Sequence, residues 1–235
     1  MKKKKVYLFF KRLLDIICSF LAIIVFAIPM LIVALAIKCD SKGPVLFKQE
    51  RVGKNKKLFK IWKFRSMYID TDPNAPTRDL HNADSHITKV GKFIRKTSID
   101  ELPQLFNILF GKMSVIGPRP VLMVEHDLIQ ERDRYGANDI RPGLTGLAQI
   151  SGRDILNAED KAKLDGEYVK KMSLWLDIKL IFKTIGVVFK QEGVVEGDKV
   201  KQKGEQSQEL VNQNDQLEVA VNKKDESSED ELVHN

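Results

Sequence analysis

The sequence predicts an α+β fold: an N-terminal re-entrant membrane helix (helix-break-helix), then a small, mainly helical cytosolic domain with a short β-hairpin and interfacial amphipathic helices. Three observations predict it. First, no charge occurs from Ile16 to Ile37, 22 residues, and basic residues flank that run on both sides. Second, Val45–Glu50 and Leu58–Phe64 alternate roughly apolar and polar around Gly53-Lys54-Asn55, the pattern of a hairpin. Third, the later segments have helical length and apolar spacing, broken by Gly- and Pro-rich stretches. The 235 residues, 43% hydrophobic and 30% charged, supply one globular domain with appendages and exclude wholesale disorder. The expected divisions are residues 1–40 (basic N-terminus and membrane helix), 41–197 (globular domain) and 198–235 (an acidic polar tail, disordered).

As a helix, Ile16–Ile37 would measure roughly 33 Å, enough for a bilayer core of about 30 Å. A single spanning helix is therefore one reading. Pro29 and the charge pattern favour a hairpin instead. Proline inside a helix removes a hydrogen bond and clashes with the preceding turn. Lys2–Lys5, Lys11 and Arg12 precede the run, and Lys38, Lys42, Lys48, Arg51 and Lys54 follow it. Positive flanks stay cytoplasmic, so neither end favours translocation. A cleaved signal peptide ending near Ala34-Leu35-Ala36 fits less well, because the run is long and a basic segment follows.

Beyond the hairpin, Asp70–Ser85 reads as a loop, and Ile87–Arg95 and Ile99–Leu109 as short helices. Gly111–Pro120 is too rich in Gly and Pro to be regular. Val121–Arg134 reads as a helix, Arg141–Gly146 as a turn, and Asn157–Lys171 and Leu174–Gln191 as helices. The last mixes aromatic and aliphatic residues with lysines, which suits either a membrane interface or core packing.

Charge narrows the partners. The tail from Asp198 carries 10 acidic and 5 basic residues, which leaves +12 of the overall +7 on residues 1–197. That excess suits an anionic partner. Cys18 and Cys39 exclude a disulfide framework or a cysteine-rich zinc site and suit a reduced compartment. The four histidines lack zinc-ligand spacing, and neither a Walker A sequence nor Gly-x-Gly-x-x-Gly occurs.

What remains for chemistry is Asp100-Glu101. Ser98 and Glu101 have capping-box spacing, which is the structural reading. Adjacent carboxylates on a helix point about 100° apart, so one can attack while the other holds a metal. Arg95 precedes the pair, and Arg119 lies between Pro118 and Pro120, which restrict its backbone. Arginine suits bidentate phosphate binding. Lys63 and Arg65 share one face of a strand and add basic character beside Phe59, Trp62 and Phe64. A carboxylate pair, a divalent metal and arginines suit phosphoryl chemistry near a membrane.

At these residues the chain resembles the bacterial sugar transferases, the monotopic phosphoglycosyl transferases that start exopolysaccharide, capsule or glycan assembly. The resemblance runs from about 11 to 193. It is carried by Lys11-Arg12-Leu13-Leu14-Asp15, Gly43 to Gly53, Phe59 to Met67, Ile94 to Leu105, Met113 to Pro120 and Arg141 to Arg153. It implies transfer of a sugar 1-phosphate from a UDP-sugar to undecaprenyl phosphate, with release of UMP and a need for Mg²⁺. By the same resemblance Asp100 is the nucleophile that forms a covalent phosphosugar intermediate, Glu101 binds the metal, and Arg95 and Arg119 contact phosphate. Lys63, Arg65, Arg141, Arg153 and Asp177 are the further candidates for nucleotide or substrate binding, and Pro29 is the membrane-helix break. The implied partners are the UDP-sugar, undecaprenyl phosphate, the cytoplasmic face of the bacterial membrane, a second copy of the chain and downstream glycosyltransferases. Leu147, where many relatives have tryptophan, and Ser151 and Asp154, where asparagine is frequent, blur sugar identity more than reaction type.

Two other readings follow from the same residues. A non-catalytic membrane-associated scaffold of the same pathway would use Ser98–Glu101 as a cap alone, and Asp100→Asn would leave it working. The complete acid pair with both arginines weighs against that. A nucleic-acid binder would need a groove-reading or stacking element, and none is legible beyond Phe59, Trp62 and Phe64.

Overall fold

A computed structural model describes residues 2–71, 83–152 and 156–190. Arg153, the tail and most of the expected loop after Asp70 lie outside the described residues.

The first element is α1 (Lys2–Asp40), a 39-residue helix. In its first half the polar residues face the protein and most apolar residues face out. Lys11, Asp15 and Ser19, four apart, form a buried stripe, whereas Phe9, Leu13, Ile17, Phe20, Leu21 and Ile24 are exposed. Each polar group has a fixed partner. Lys11 Nζ lies 2.9 Å from Asp177 Oδ2. Arg12 donates to the carbonyls of Ile108 and Leu109 at 2.7 and 2.9 Å. Asp15 Oδ1 accepts from Ser114 Oγ and from the Val115 N–H at 3.0 and 2.9 Å. At the far end Ile37 packs with Phe64 and Ile94, and Asp40 Oδ2 accepts from the Val90 N–H at 3.0 Å.

The expected break at Pro29 is not a break. The helix is continuous, with Pro29 inside it. Proline's φ is helical and it deletes one hydrogen bond, so the turns on either side can stay in one helix. Residues 24–29 are nonetheless all exposed, more than a full turn with no face against the domain. The helix stands off there and returns at Met30, Val33 and Ala34.

Strands β1 (Leu46–Val52) and β2 (Leu58–Phe64) form the antiparallel hairpin, with Leu46 opposite Phe64 and Val52 opposite Leu58. The turn places Asn55 and Lys56 at φ 53° and 59°, the left-handed region that asparagine tolerates better than most residues. Phe59 and Ile61 pack on Leu105, Ile108 and Met113, with Ala22 and Ile23 of α1 over them. Next come α2 (Lys89–Lys96) and α3 (Gln104–Leu109), separated by a 3₁₀ turn at Ile99–Glu101. The sequence suggested one helix from Ile99 to Leu109. The chain instead ends α2 with Thr97, whose hydroxyl donates to Phe93 O at 2.9 Å, and reverses through Ser98 at φ 57°.

Within Gly111–Pro120, expected to be irregular, lies β3 (Ser114–Ile116). It pairs in parallel with β4 (Gly143–Thr145), which falls in the expected turn. A Cβ on Gly143 would meet Gly117 N at 2.1 Å, so only glycine allows the two backbones to approach. Between these strands α4 spans His126–Arg134. It starts later than the pattern from Val121 suggested, because Val121 O accepts from Val52 N at 2.9 Å and the chain there is extended against β1. Then follow α5 (Leu147–Ser151), α6 (Ala158–Lys171) and α7 (Leu174–Lys190). The inner face of α7 packs Leu180 on Ile116 and Tyr168, while Trp175, Ile178, Phe182 and Ile185 form an exposed stripe. The core-packing reading describes the inner face of this helix.

Candidate active site

Asp100 and Glu101 occupy the 3₁₀ turn between α2 and α3. The capping box is not formed: Ser98 is left-handed and makes no side-chain cap bond. Glu101 reaches β2 instead, where Lys63 Nζ lies 2.8 Å from its Oε1. The same ammonium is 4.0 Å from Asp100 Oδ2. Arg119 NH1 approaches Glu101 Oε1 to 3.8 Å. Asp100 is buried, at 8% exposure, and Arg119 remains partly exposed between buried prolines. Two carboxylates and two cations thus share one small volume. Of these four side chains Arg119 is the most exposed, so a cation stands at the outer edge of the group.

The Arg119 loop is held by groups that the sequence reading passed over. Arg132 NH1 donates to Arg119 O at 2.9 Å, and Arg132 itself is paired with Asp165 at 2.6 Å. Burial pushes the Asp165 carboxyl above its usual range, while the Arg132 guanidinium opposes that. Gly117 N donates to Thr145 O at 2.9 Å, and Gly143 N to Pro118 O at 2.8 Å, so the strand pair pins the other side. Arg51, on the inner face of β1, reaches Pro120 O at 3.4 Å. The signal for Arg51 was its alternation with Phe47 and Gln49, which puts a charge on the hairpin's inner face. Nothing local marks Arg132 and Asp165, which are 33 residues apart.

The other candidates lie as follows. Arg95 is in the last turn of α2, with NH1 3.4 Å from Ser66 Oγ. Arg65 is buried and donates to the carbonyls of Ser41 and Lys42, tying the end of α1 to β2 rather than sharing Lys63's contacts. Arg141 Nε donates to Gly111 O at 2.9 Å. Asp177 accepts from Tyr7, Lys11 and Tyr168 at 2.9, 2.9 and 2.7 Å, which joins α1 to α6 and α7. Burial and the Asp177 charge raise the Tyr168 hydroxyl far above its usual range, so it stays a donor. Lys63, Asp100, Glu101 and Arg119 come together. Arg65, Arg141 and Asp177 instead join segments of the fold.

Among the described residues no group of three or more His, Cys, Asp or Glu side chains could hold a metal by itself. Asp100 and Glu101 supply hard oxygen ligands, and Mg²⁺ commonly uses one or two carboxylates, with substrate phosphates and water completing the shell. The donor set fits that ion.

The profile of the family described as bacterial sugar transferase matches residues 6–191. The chain belongs to the bacterial sugar transferases. It is 44% identical over 183 residues to a UDP-glucose:undecaprenyl-phosphate glucose-1-phosphate transferase of Klebsiella pneumoniae, covering 75% of this chain and 39% of that protein. An undecaprenyl-phosphate glucose phosphotransferase of Komagataeibacter xylinus is 43% identical, over 74% of this chain and 35% of its own. An undecaprenyl-phosphate galactose phosphotransferase of Salmonella typhimurium is 40% identical, over 79% and 41% respectively. This sugar transferase therefore spans about two fifths of the length of these relatives. The matched region contains the acid pair, Lys63, Arg95, Arg119 and α1 from Val6 onward.

Proposed function

We propose that this sugar transferase moves a sugar 1-phosphate from a UDP-sugar to undecaprenyl phosphate, releasing UMP, as the first membrane step of exopolysaccharide or capsule assembly. The observation that carries the reading is the Asp100–Glu101 pair, held between Lys63 and Arg119 in a domain whose first helix turns an apolar face outward. The Asp100 carboxylate attacks the β-phosphorus of the donor, the bond from that phosphorus to the UMP oxygen breaks, and UMP departs. An aspartyl phosphosugar remains. A phosphate oxygen of the lipid then attacks the same phosphorus, the Asp100–phosphorus bond breaks, and the carboxylate is regenerated with the lipid diphosphosugar. No oxidant or further co-substrate is needed.

Lys63, Arg119 and Arg95 offset the charge that would otherwise keep a carboxylate from a diphosphate. Mg²⁺, held by Glu101 with Asp100 beside it, would supply further neutralisation of the departing phosphate. Lys63 already rests on Glu101 Oε1, so it would hold that carboxylate's orientation.

The apolar belt of α1 and the stripe Trp175, Ile178, Phe182 and Ile185 suggest membrane association. We take α1 to enter and leave the bilayer on the cytoplasmic side. Contacts of one domain with Tyr7 and Lys11 at one end and with Ile37 and Asp40 at the other support this, as does the stand-off around Pro29.

The test is UMP release from a panel of UDP-sugars with membranes, undecaprenyl phosphate and Mg²⁺. Wild type should turn over only with the lipid phosphate present, and Asp100→Asn should release none. Equal release from that variant would remove Asp100 from the role of nucleophile.

A further inference from the structure

Arg51 is a charged residue on the inner face of the hairpin. Its side chain turns toward the core side of the sheet with Phe47 and Gln49, because residues two apart in a strand share a face. The guanidinium donates through Nε and NH2 to Gln49 Oε1 at 3.0 and 2.6 Å, and through NH1 to Pro120 O at 3.4 Å. All three bonds end on neutral oxygens, so its charge is held without being cancelled by them. Its charged neighbours are Arg119, which repels it, and Glu125 and Glu101, which attract it. Burial and the Arg119 charge together draw the guanidinium down to about 10, still fully protonated near neutrality.

This placement has two consequences. The bond to Pro120 O fixes the carbonyl directly after Arg119, while Arg132 fixes Arg119 O itself. The two carbonyls that follow the Arg119 α-carbon are thereby both held, and Gly143 N holds Pro118 O before it. Arg51 places like charge beside Arg119, whose NH1 lies 3.8 Å from Glu101 Oε1. Two guanidiniums kept close together lower the free energy of any anion that binds near both.

We propose that Arg51 is a positioning residue of the donor site, the inner member of a two-guanidinium pair with Arg119 that sets the site's affinity for a diphosphate. The inference rests on the transferase reading above and adds to it the residue that aims Arg119. Arg51 need not touch the substrate. Arg51→Gln keeps a hydrogen-bonding side chain and removes the charge, while Arg51→Lys keeps the charge and loses the fork.

The experiment measures thermal stabilisation of the full chain by inorganic pyrophosphate with Mg²⁺, for wild type, Arg51→Gln, Arg51→Lys and Arg119→Gln. Wild type should be stabilised. Arg51→Gln should weaken the apparent affinity by at least about tenfold, as Arg119→Gln does, and Arg51→Lys should recover most of it. In turnover, Arg51→Gln should raise KM for the UDP-sugar and the inhibition constant of UMP together, with KM for the lipid phosphate unchanged. Pyrophosphate affinity in Arg51→Gln equal to wild type would overturn the proposal. So would equal losses in Arg51→Gln and Arg51→Lys that merely follow their melting temperatures, which is the signature of a packing role. Arg51-dependent pyrophosphate binding without UMP release from any donor would leave the pair standing and refute the transferase reading instead.

Discussion

Lys63 is the residue on which the charge balance of the site turns. It contacts Glu101 at 2.8 Å and stands 4.0 Å from Asp100, so one ammonium serves two carboxylates that are adjacent in sequence. Replacing it with methionine keeps the stem and removes the charge. We expect Lys63→Met to lower kcat/KM for the donor by about 10²-fold, in the range found when one preorganised charge-stabilising donor is lost. A steady-state comparison checks this, and a loss below threefold would show that Lys63 only fastens the turn. Asp165 has a different role. Its carboxylate is almost fully buried against Arg132, and removing one partner of such a pair strands the other charge. Asp165→Asn should destabilise the domain by about 3–5 kcal/mol in urea unfolding. Because Arg132 also grips Arg119 O, the surviving folded fraction should bind donor more weakly.

At the scale of elements, α1 is joined to the domain by side chains rather than by apolar packing alone. Asp15 satisfies both Ser114 Oγ and the Val115 N–H at the start of β3, next to the loop that carries Arg119. Asp15→Ala leaves that N–H without its acceptor and should cost about 1–3 kcal/mol, read as a lower unfolding midpoint and faster proteolysis of α1. An unchanged midpoint would mean water replaces the carboxylate. The sequence made the hairpin and helices α2, α6 and α7 legible, because alternation and helical spacing are local signals. It did not reveal β3 and β4. Each is three residues long, and their parallel pairing joins Ser114 to Gly143 across a whole helix. The acid pair was legible as a pair but not as a site. Capping-box spacing at Ser98 and Glu101 has a purely structural reading, and only the left-handed Ser98 and the reach of Lys63 remove it. Arg51 was passed over although its alternation with Phe47 puts it on the inner face, because a lone basic residue in a hairpin usually faces solvent.

For the molecule as a whole, the question is which side of a membrane each end of α1 occupies. The helix is roughly 58 Å long at 1.5 Å per residue, close to twice a bilayer core of about 30 Å. Length alone would let it cross. Its contacts argue otherwise, since Lys11 is paired on α7 while Asp40 accepts from the start of α2, and both partners belong to the same folded domain. A helix crossing the bilayer would have to give up one set. On the proposed arrangement the exposed turns from 24 to 29 form the deepest point of a shallow wedge, with Pro29 at its edge. The exposed stripe of α7 adds a second apolar line on the domain's outer surface. Cysteine labelling tests this arrangement directly. Cys18 and Cys39 are both exposed and are first replaced by serine. Lys3→Cys and Lys42→Cys are then probed in sealed cells with a membrane-impermeant maleimide, before and after permeabilisation. On the proposed arrangement, with both flanks on the cytoplasmic side, both should react only after permeabilisation. Labelling of one position from outside would restore the crossing helix. It would also require the Lys11–Asp177 or the Asp40–Val90 contact to be absent in the membrane.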